Sequence, residues 1–273
     1  MNNAEDKTIG LLDGRVAIVT GGSIGIGLST AAALAREDAY VVLVGRNRAR
    51  LDKALLEIKQ KTGSRKNIGL ELDVRRESDM EQMARQTLDH FGRIDILVAA
   101  AGILRARGGR LRTLQQMSLE EWDEVIDTNL KGLFLSNRAV IPTMIRQRSG
   151  NIVNLSSTSG RKGLAFDSAY CASKFGSIGL SEAISEELRQ YGIRVQVLLP
   201  GAIDTGMWDQ NGPIPPPKDI LTPDRVADFI LYMITLSEDT VLDSPIVEPL
   251  KRHAPIWIEQ RLTGNTNVVL DDG

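Results

Sequence analysis

Short apolar runs recur along the chain, separated by longer stretches of amphipathic pattern. RVAIVT (15–20), AYVVLV (39–44), NIGLEL (67–72), IDILVA (94–99), NIVNLS (151–156) and IRVQVLL (193–199) read as strands. Their apolar positions are continuous rather than alternating, as expected of parallel strands covered on both faces. The stretches between them carry helix-start signals. Ser118 and Glu121 form a capping box, and Thr222-Pro223 offers an N-cap followed by proline at the first helical position. Strand–helix alternation predicts one doubly wound parallel α/β sheet with helices on both faces, in a single domain. Residues 14–250 are expected to form it. Residues 1–13 are expected to be a flexible leader and 251–273 a tail in a subunit interface.

Composition narrows the classes. Among 273 residues, 42% are hydrophobic, enough for a substantial core, and the net charge of −2 offers no basic field for nucleic acid or a membrane surface. A single cysteine, Cys171, excludes an internal disulfide and suits a reducing cytoplasm. His90 and His253 lie far apart, so no metal cluster is expected. The longest apolar run, Ile94 to Leu104, is interrupted by Asp95 and is too short to span a bilayer.

In such sheets ligands bind outside the carboxyl ends of the strands. After the first run comes TGGSIGIG (20–27). Gly21 would allow a tight turn, Gly25 a close backbone approach to a pyrophosphate, and Gly27 close packing of helix on strand. The helix N-terminus that follows would face the phosphates with free N–H groups. The second run ends in Gly45-Arg46, where NAD-binding folds commonly carry an acidic residue for the ribose. A guanidinium suits the 2′-phosphate of NADP, so NADP is the expected cofactor with NAD as the alternative.

Further along, SAYCASK (168–174) sets Tyr170 and Lys174 four residues apart, on one face of a helix. A phenol ordinarily titrates near ~10, and a neighbouring cation can lower that value. A Tyr so tuned can give a proton to an alkoxide or take one from an alcohol. By themselves the two residues are also compatible with a chance spacing.

Taken in order, these stretches resemble the short-chain dehydrogenase/reductase family over about residues 14–235. Thr20-Gly21, Ser23, Ile24, Gly25 and Gly27 match its cofactor loop, and Asp73-Val74 matches the pair that holds the adenine. Asn129 matches its structural and proton-relay asparagine. Ser157 stands thirteen positions before Tyr170, as the family's catalytic serine does, which selects it over Ser156. Pro200-Gly201 with Ile203 and Thr205 matches the turn that receives the nicotinamide and its phosphates. The resemblance implies Tyr170 as general acid/base, its pKa lowered by Lys174 and the oxidised cofactor ring. It further implies Ser157 polarising a carbonyl, Lys174 binding the ribose, and Asn129 anchoring a relay water. One departure stands out: Ala99-Ala100-Ala101-Gly102 replaces a stretch that usually carries one or two asparagines, so Ala100 and Gly102 meet the cofactor without those amides.

The expected activity is interconversion of a ketone and a secondary alcohol with NADP(H), a 3-oxoacyl-type carbonyl being the first substrate considered. Alternatives are an NAD-dependent alcohol or hydroxysteroid dehydrogenase and a non-catalytic dinucleotide sensor. LRARGGRLRTL (104–114) brings Arg105, Arg107, Arg110 and Arg112 near the site mouth, where they could draw an anionic acyl thioester or stand as a solvated loop. Met207 and Trp208 lie where a substrate lid is expected. A homo-oligomer, dimer or tetramer, is expected from the family.

Overall fold

The computed structural model describes residues 9–106 and 111–251. The alternation produces β1 (Val16–Thr20), α1 (Gly25–Arg36), β2 (Tyr40–Gly45), α2 (Arg48–Thr62), β3 (Asn67–Glu71), α3 (Glu77–Phe91) and β4 (Ile96–Ala99). The second half adds α4 (Leu119–Ile126), α5 (Gly132–Gln147), β5 (Gly150–Leu155), α6 (Ser168–Leu188), β6 (Ile193–Pro200), α7 (Pro223–Ile234) and β7 (Ile246–Val247). The six apolar runs thus become strands whose ends fall within two residues of those predicted, and the seven-stranded sheet has the order β3-β2-β1-β4-β5-β6-β7. Every neighbouring pair is parallel.

Successive side chains of a strand point to opposite faces, and each face here has its own core. Ala17, Val19, Val41 and Leu43 pack under α1, α2 and α7, against Leu34, Leu51 and Ile230. Ile18, Val42, Val44 and Leu97 face α3, α5 and α6, against Met83, Met144 and Ile184. Because both faces are covered, β1 and β4 are buried at every residue. Burying one such Leu or Ile side chain contributes about 1.5–3 kcal/mol.

The predicted capping box starts α4: Glu121 N–H donates to Ser118 Oγ at 3.2 Å, and Ser118 N–H to the Glu121 carboxylate at 3.0 Å. Thr222 does precede α7 with Pro223 in its first turn, yet its hydroxyl makes no capping bond. Packing also begins before residue 14. Leu12 is buried in the first core, its N–H donating to Glu37 O at 2.9 Å. The tail beyond Lys251, with Trp257 and Ile258, lies outside the described residues, as do residues 1–8. No helix among the described residues is long and apolar enough to cross a membrane.

In this strand order the chain runs outward from β1 to β2 and β3, then returns to place β4 on the other side of β1. The crevice at that switch, at the carboxyl ends of β1 and β4, is where an open α/β sheet binds its ligand.

Candidate active site

A large cleft opens at this switch point. One end is made of backbone. Gly21 has φ +68° and Gly25 φ +55°, left-handed values that favour glycine. At Gly27 a Cβ would stand 2.3 Å from Gly21 O, so any side chain there would push the turn off α1. Ile24 precedes α1 in extended conformation and supplies no side-chain cap, which leaves the first N–H groups of the helix directed at the cleft. Gly25 abuts Thr205, and a Cβ on the glycine would lie 3.1 Å from Thr205 Cγ2. The glycine turn and the β6 turn therefore close on each other.

Ser23, Ile24, Arg46, Val74, Ala100 and Gly102 line the same cleft, and Pro200, Gly201, Ile203 and Thr205 line its other side. These residues fit an extended, phosphate-bearing dinucleotide: a glycine turn, an uncapped helix N-terminus and a guanidinium at the end of β2. Arg50, in the first turn of α2, also lines the cleft. It was not singled out in the sequence. Its signal was Asn47, which caps α2 by accepting from Arg50 N–H at 2.9 Å and so turns the first helical residues to this end.

Three predicted residues stand behind the wall. Thr20 is buried, its carbonyl accepting from Ala100 N–H at 3.2 Å. The Asp73 carboxylate is held by Arg75, with Nε at 3.0 Å and Nη2 at 2.6 Å. Burial opposes its ionisation, but these bonds win and keep the carboxyl below its usual range. Asn129 sits in a π-turn, Asp127–Lys131, between α4 and α5. Its Oδ1 accepts from Ile103 N–H at 2.8 Å, while Nδ2 donates to Ile103 O at 2.8 Å and Ser173 Oγ at 3.1 Å. Both amide hydrogens are thus in use. Such π-insertions in helices often mark functional positions.

The centre of the cleft brings Ser157, Tyr170 and Lys174 together. Ser157 lies two residues beyond β5 in extended conformation, its Oγ accepting from Ser159 N–H at 3.1 Å, and its side chain favours ionisation of Tyr170. Ser156 points elsewhere, donating to Lys174 O at 2.8 Å. The Lys174 ammonium donates to Leu155 O at 2.8 Å and lies 5.6 Å from the Tyr170 ring centroid. Gly102 borders this corner, and a Cβ there would make ordinary contact with Asn129 Oδ1 at 3.4 Å and Lys174 Nζ at 3.7 Å.

The electrostatics correct one expectation. Burial pushes the Tyr170 phenol up to about 12; the Ser157 hydrogen bond opposes this and the charge of Asp167 adds to it. Burial likewise brings Lys174 down to about 8. The lowering of Tyr170 expected from Lys174 is thus absent in the protein's own field, where desolvation of the phenolate is the largest influence.

The amides missing at Ala99 and Ala100 have a counterpart one strand over. Asn154, paired in register with Ala99, exchanges bonds with Asn137 of α5 at 2.9 and 3.2 Å and donates to Ser181 of α6 at 3.0 Å. This buried set ties the sheet to both helices. Cys171 is buried beside Tyr170, where burial pushes its thiol up; it is a packing residue.

The outer wall is made of side chains. Met207 and Trp208 line it, Trp208 fixed by Nε1 donating to Ile203 O at 2.8 Å. Two arginines of the 104–114 stretch have carboxylate partners: Arg105 with Asp167 at 2.6 Å and Arg112 with Glu121 at 3.6 Å. These pairs offset the charges of Arg105 and Arg112. Arg107 and Arg110 lie outside the described residues. Asp167 and Gln210, which accepts from Leu104 N–H at 2.9 Å, were not singled out in the sequence.

Known proteins agree with this arrangement. The sequence profile of the short chain dehydrogenase family matches residues 15–213. A 3-oxoacyl-[acyl-carrier-protein] reductase from Synechocystis is 36% identical over 230 residues, 82% of this chain and 90% of that protein. The crystal structure of levodione reductase superposes with a TM-score of 0.81 at 28% identity, covering 87% of this chain and 97% of that one. A metagenomic short-chain oxidoreductase solved in complex with NADP superposes with a TM-score of 0.76 at 33% identity, over 89% and 100% of the two chains. The chain belongs to the short-chain dehydrogenase/reductase family and is a nicotinamide-dinucleotide-dependent oxidoreductase.

Proposed function

We propose that the enzyme uses NADP(H) to interconvert a ketone and a secondary alcohol, with Tyr170 as general acid/base. The observation that carries this reading is that Ser157, Tyr170 and Lys174 line one cleft together, with Lys174 one helical turn from Tyr170. When bound, the dinucleotide supplies or accepts the hydride. Tyr170 gives its proton to the forming alkoxide, or takes one from the alcohol in reverse. Ser157, its lone pair engaged by Ser159 N–H, directs its own proton to the substrate oxygen and polarises the carbonyl. Lys174, with one hydrogen on Leu155 O, has two left for the nicotinamide ribose, and its charge steadies the phenolate once the proton has gone. With both Asn129 amide hydrogens committed, a relay water is held through its main chain.

Arg46 and Arg50, both lining the cleft beyond β2, support NADP over NAD by offering two guanidiniums to a 2′-phosphate. The relative named as a 3-oxoacyl-[acyl-carrier-protein] reductase supports a 3-oxoacyl-type carbonyl as substrate. Self-association has in its favour Phe134 on α5 and Phe175 on α6, exposed at 40% and 48%. A single buried thiol suits work in the cytoplasm.

Titration with NADPH and NADH, combined with turnover on a panel of ketones, tests the reading. Tighter binding of NADPH and a loss of about 10²–10⁴-fold in kcat for Tyr170→Phe, with NADPH binding intact, are expected. Turnover surviving in Tyr170→Phe would sink the mechanism, and preference for NADH would return Arg46 and Arg50 to the surface.

A further inference from the structure

Beside Tyr170 the cleft wall contains a small recess lined by Arg105, Asp167, Arg112, Met117 and Phe166. Arg105 is buried to 9% exposure, deep for a guanidinium. Although its Nη1 lies 2.6 Å from Asp167 Oδ1, the approach is poorly aligned. Among the described residues, Arg105 Nε and Nη1 and Asp167 Oδ1 all lack a well-formed hydrogen-bond partner. Buried donors and acceptors left this way are costly, and each calls for an explanation. The backbone points to the same place. Phe166, just before Asp167, holds φ +66°, a strained value for a bulky residue of the kind that clusters at ligand sites. Asp167 precedes Tyr170 by three residues at the start of α6, so its carboxylate and the phenol lie on neighbouring positions of one helical face.

The chemistry of the recess limits its occupant. Its volume of ≈ 20 Å³ accommodates one water-sized group, too little for a carboxylate. The pair is net neutral, so an anion attracted by Arg105 would be repelled by Asp167. A hydroxyl satisfies both members, accepting from the guanidinium and donating to the carboxylate. We propose that Arg105 and Asp167 form a hydroxyl-recognition subsite beside Tyr170, selecting a substrate with an alcohol group next to the reacting carbonyl. The preferred substrates are then α-hydroxyketones, or vicinal diols in the oxidative direction, in preference to plain ketones or oxoacids. This rests on the carbonyl–alcohol reading above and puts an α-hydroxyketone in place of the 3-oxoacyl carbonyl as its substrate.

The test compares 1-hydroxy-2-octanone, 2-nonanone and 2-oxooctanoate as substrates with NADPH. The wild type is expected to favour the hydroxyketone over the plain ketone by about 10- to 100-fold in kcat/KM, the span of one charge-assisted hydrogen bond. Arg105→Met should bring that ratio close to one. Since this variant leaves a carboxylate buried and alone, Arg105→Met/Asp167→Leu, which removes both charges, is measured beside it and should lose the preference too. Thermal shift of the NADP⁺ complex with each ketone, a pairing that cannot transfer hydride, makes the same comparison without turnover. A wild-type ratio near one, a ratio that survives in both variants, or preference for the oxoacid would overturn the subsite. Tyr170→Phe separates the two readings: its retained turnover would overturn the acid/base assignment alone, leaving the hydroxyl ratio to judge the recess.

Discussion

The two walls of the cleft are built from different material. The cofactor wall is mostly backbone: the Gly21–Gly27 turn, the uncapped start of α1, and the ends of β1, β4 and β6. The substrate wall is mostly side chains, Arg105, Asp167, Met207 and Trp208, carried on connecting segments. Backbone geometry admits few residue types, so the first wall tolerates little change. Side chains on a loop can be exchanged without moving the sheet, so the second can be re-specified. The contrast teaches that the cradle for a dinucleotide is built largely by the fold, whereas the far wall of the cleft is set by a few side chains.

The seam between the walls should give the largest effect. Lys174 titrates near 8 in the fold, below the ~10.4 of an exposed lysine. Between those values the unfolded chain binds more protons, so stability rises with pH through that window, by about 3 kcal/mol from this residue. The difference in urea-unfolding free energy between wild type and Lys174→Met should grow accordingly from pH 7 to 10; a flat difference would remove the buried ammonium from the account. Tyr170, raised to about 12, acts oppositely, its contribution being lost as pH climbs past ~10.

Next comes the backbone wall. Gly27→Ala drives a Cβ against Gly21 O, and overpacking of this kind costs about 1–3 kcal/mol. NADPH affinity should fall about tenfold or more by calorimetry, whatever ketone is used. An unchanged Kd would mean that the turn yields and the two walls are alike.

On the side-chain wall, Trp208→Ala should raise KM for long-chain ketones by about tenfold, as expected for a lost apolar contact, while Kd for NADPH stays within about twofold. Equal changes in both constants would erase the distinction.

What was legible in the sequence follows the same division. Strands buried on both faces read as unbroken apolar runs, and the positions of Gly21, Gly25 and Gly27 could be assigned because only glycine meets their backbone demands. The π-turn around Asn129 was not legible: an i→i+5 bond leaves no residue pattern that an α-helix lacks. Nor was the recess. Arg105 finds Asp167 across 62 positions, and Arg112 finds Glu121 only after the chain has turned into α4, so a run of arginines looked like a field for anions. The pKa of Tyr170 was misjudged for a related reason, since spacing reveals the cation and not the depth of burial.

β7 has only two residues, yet it receives Gly201 N–H on Val247 O at 2.8 Å, and Pro245 O accepts from Leu199 N–H at 2.9 Å. The turn after β6 is thereby stapled by a piece of chain made after all the rest of the sheet. During synthesis, β1 to β6 leave the ribosome before this staple exists, at about 5–20 residues per second. A growing chain therefore has six strands of the sheet in hand before the turn after β6 can be fastened.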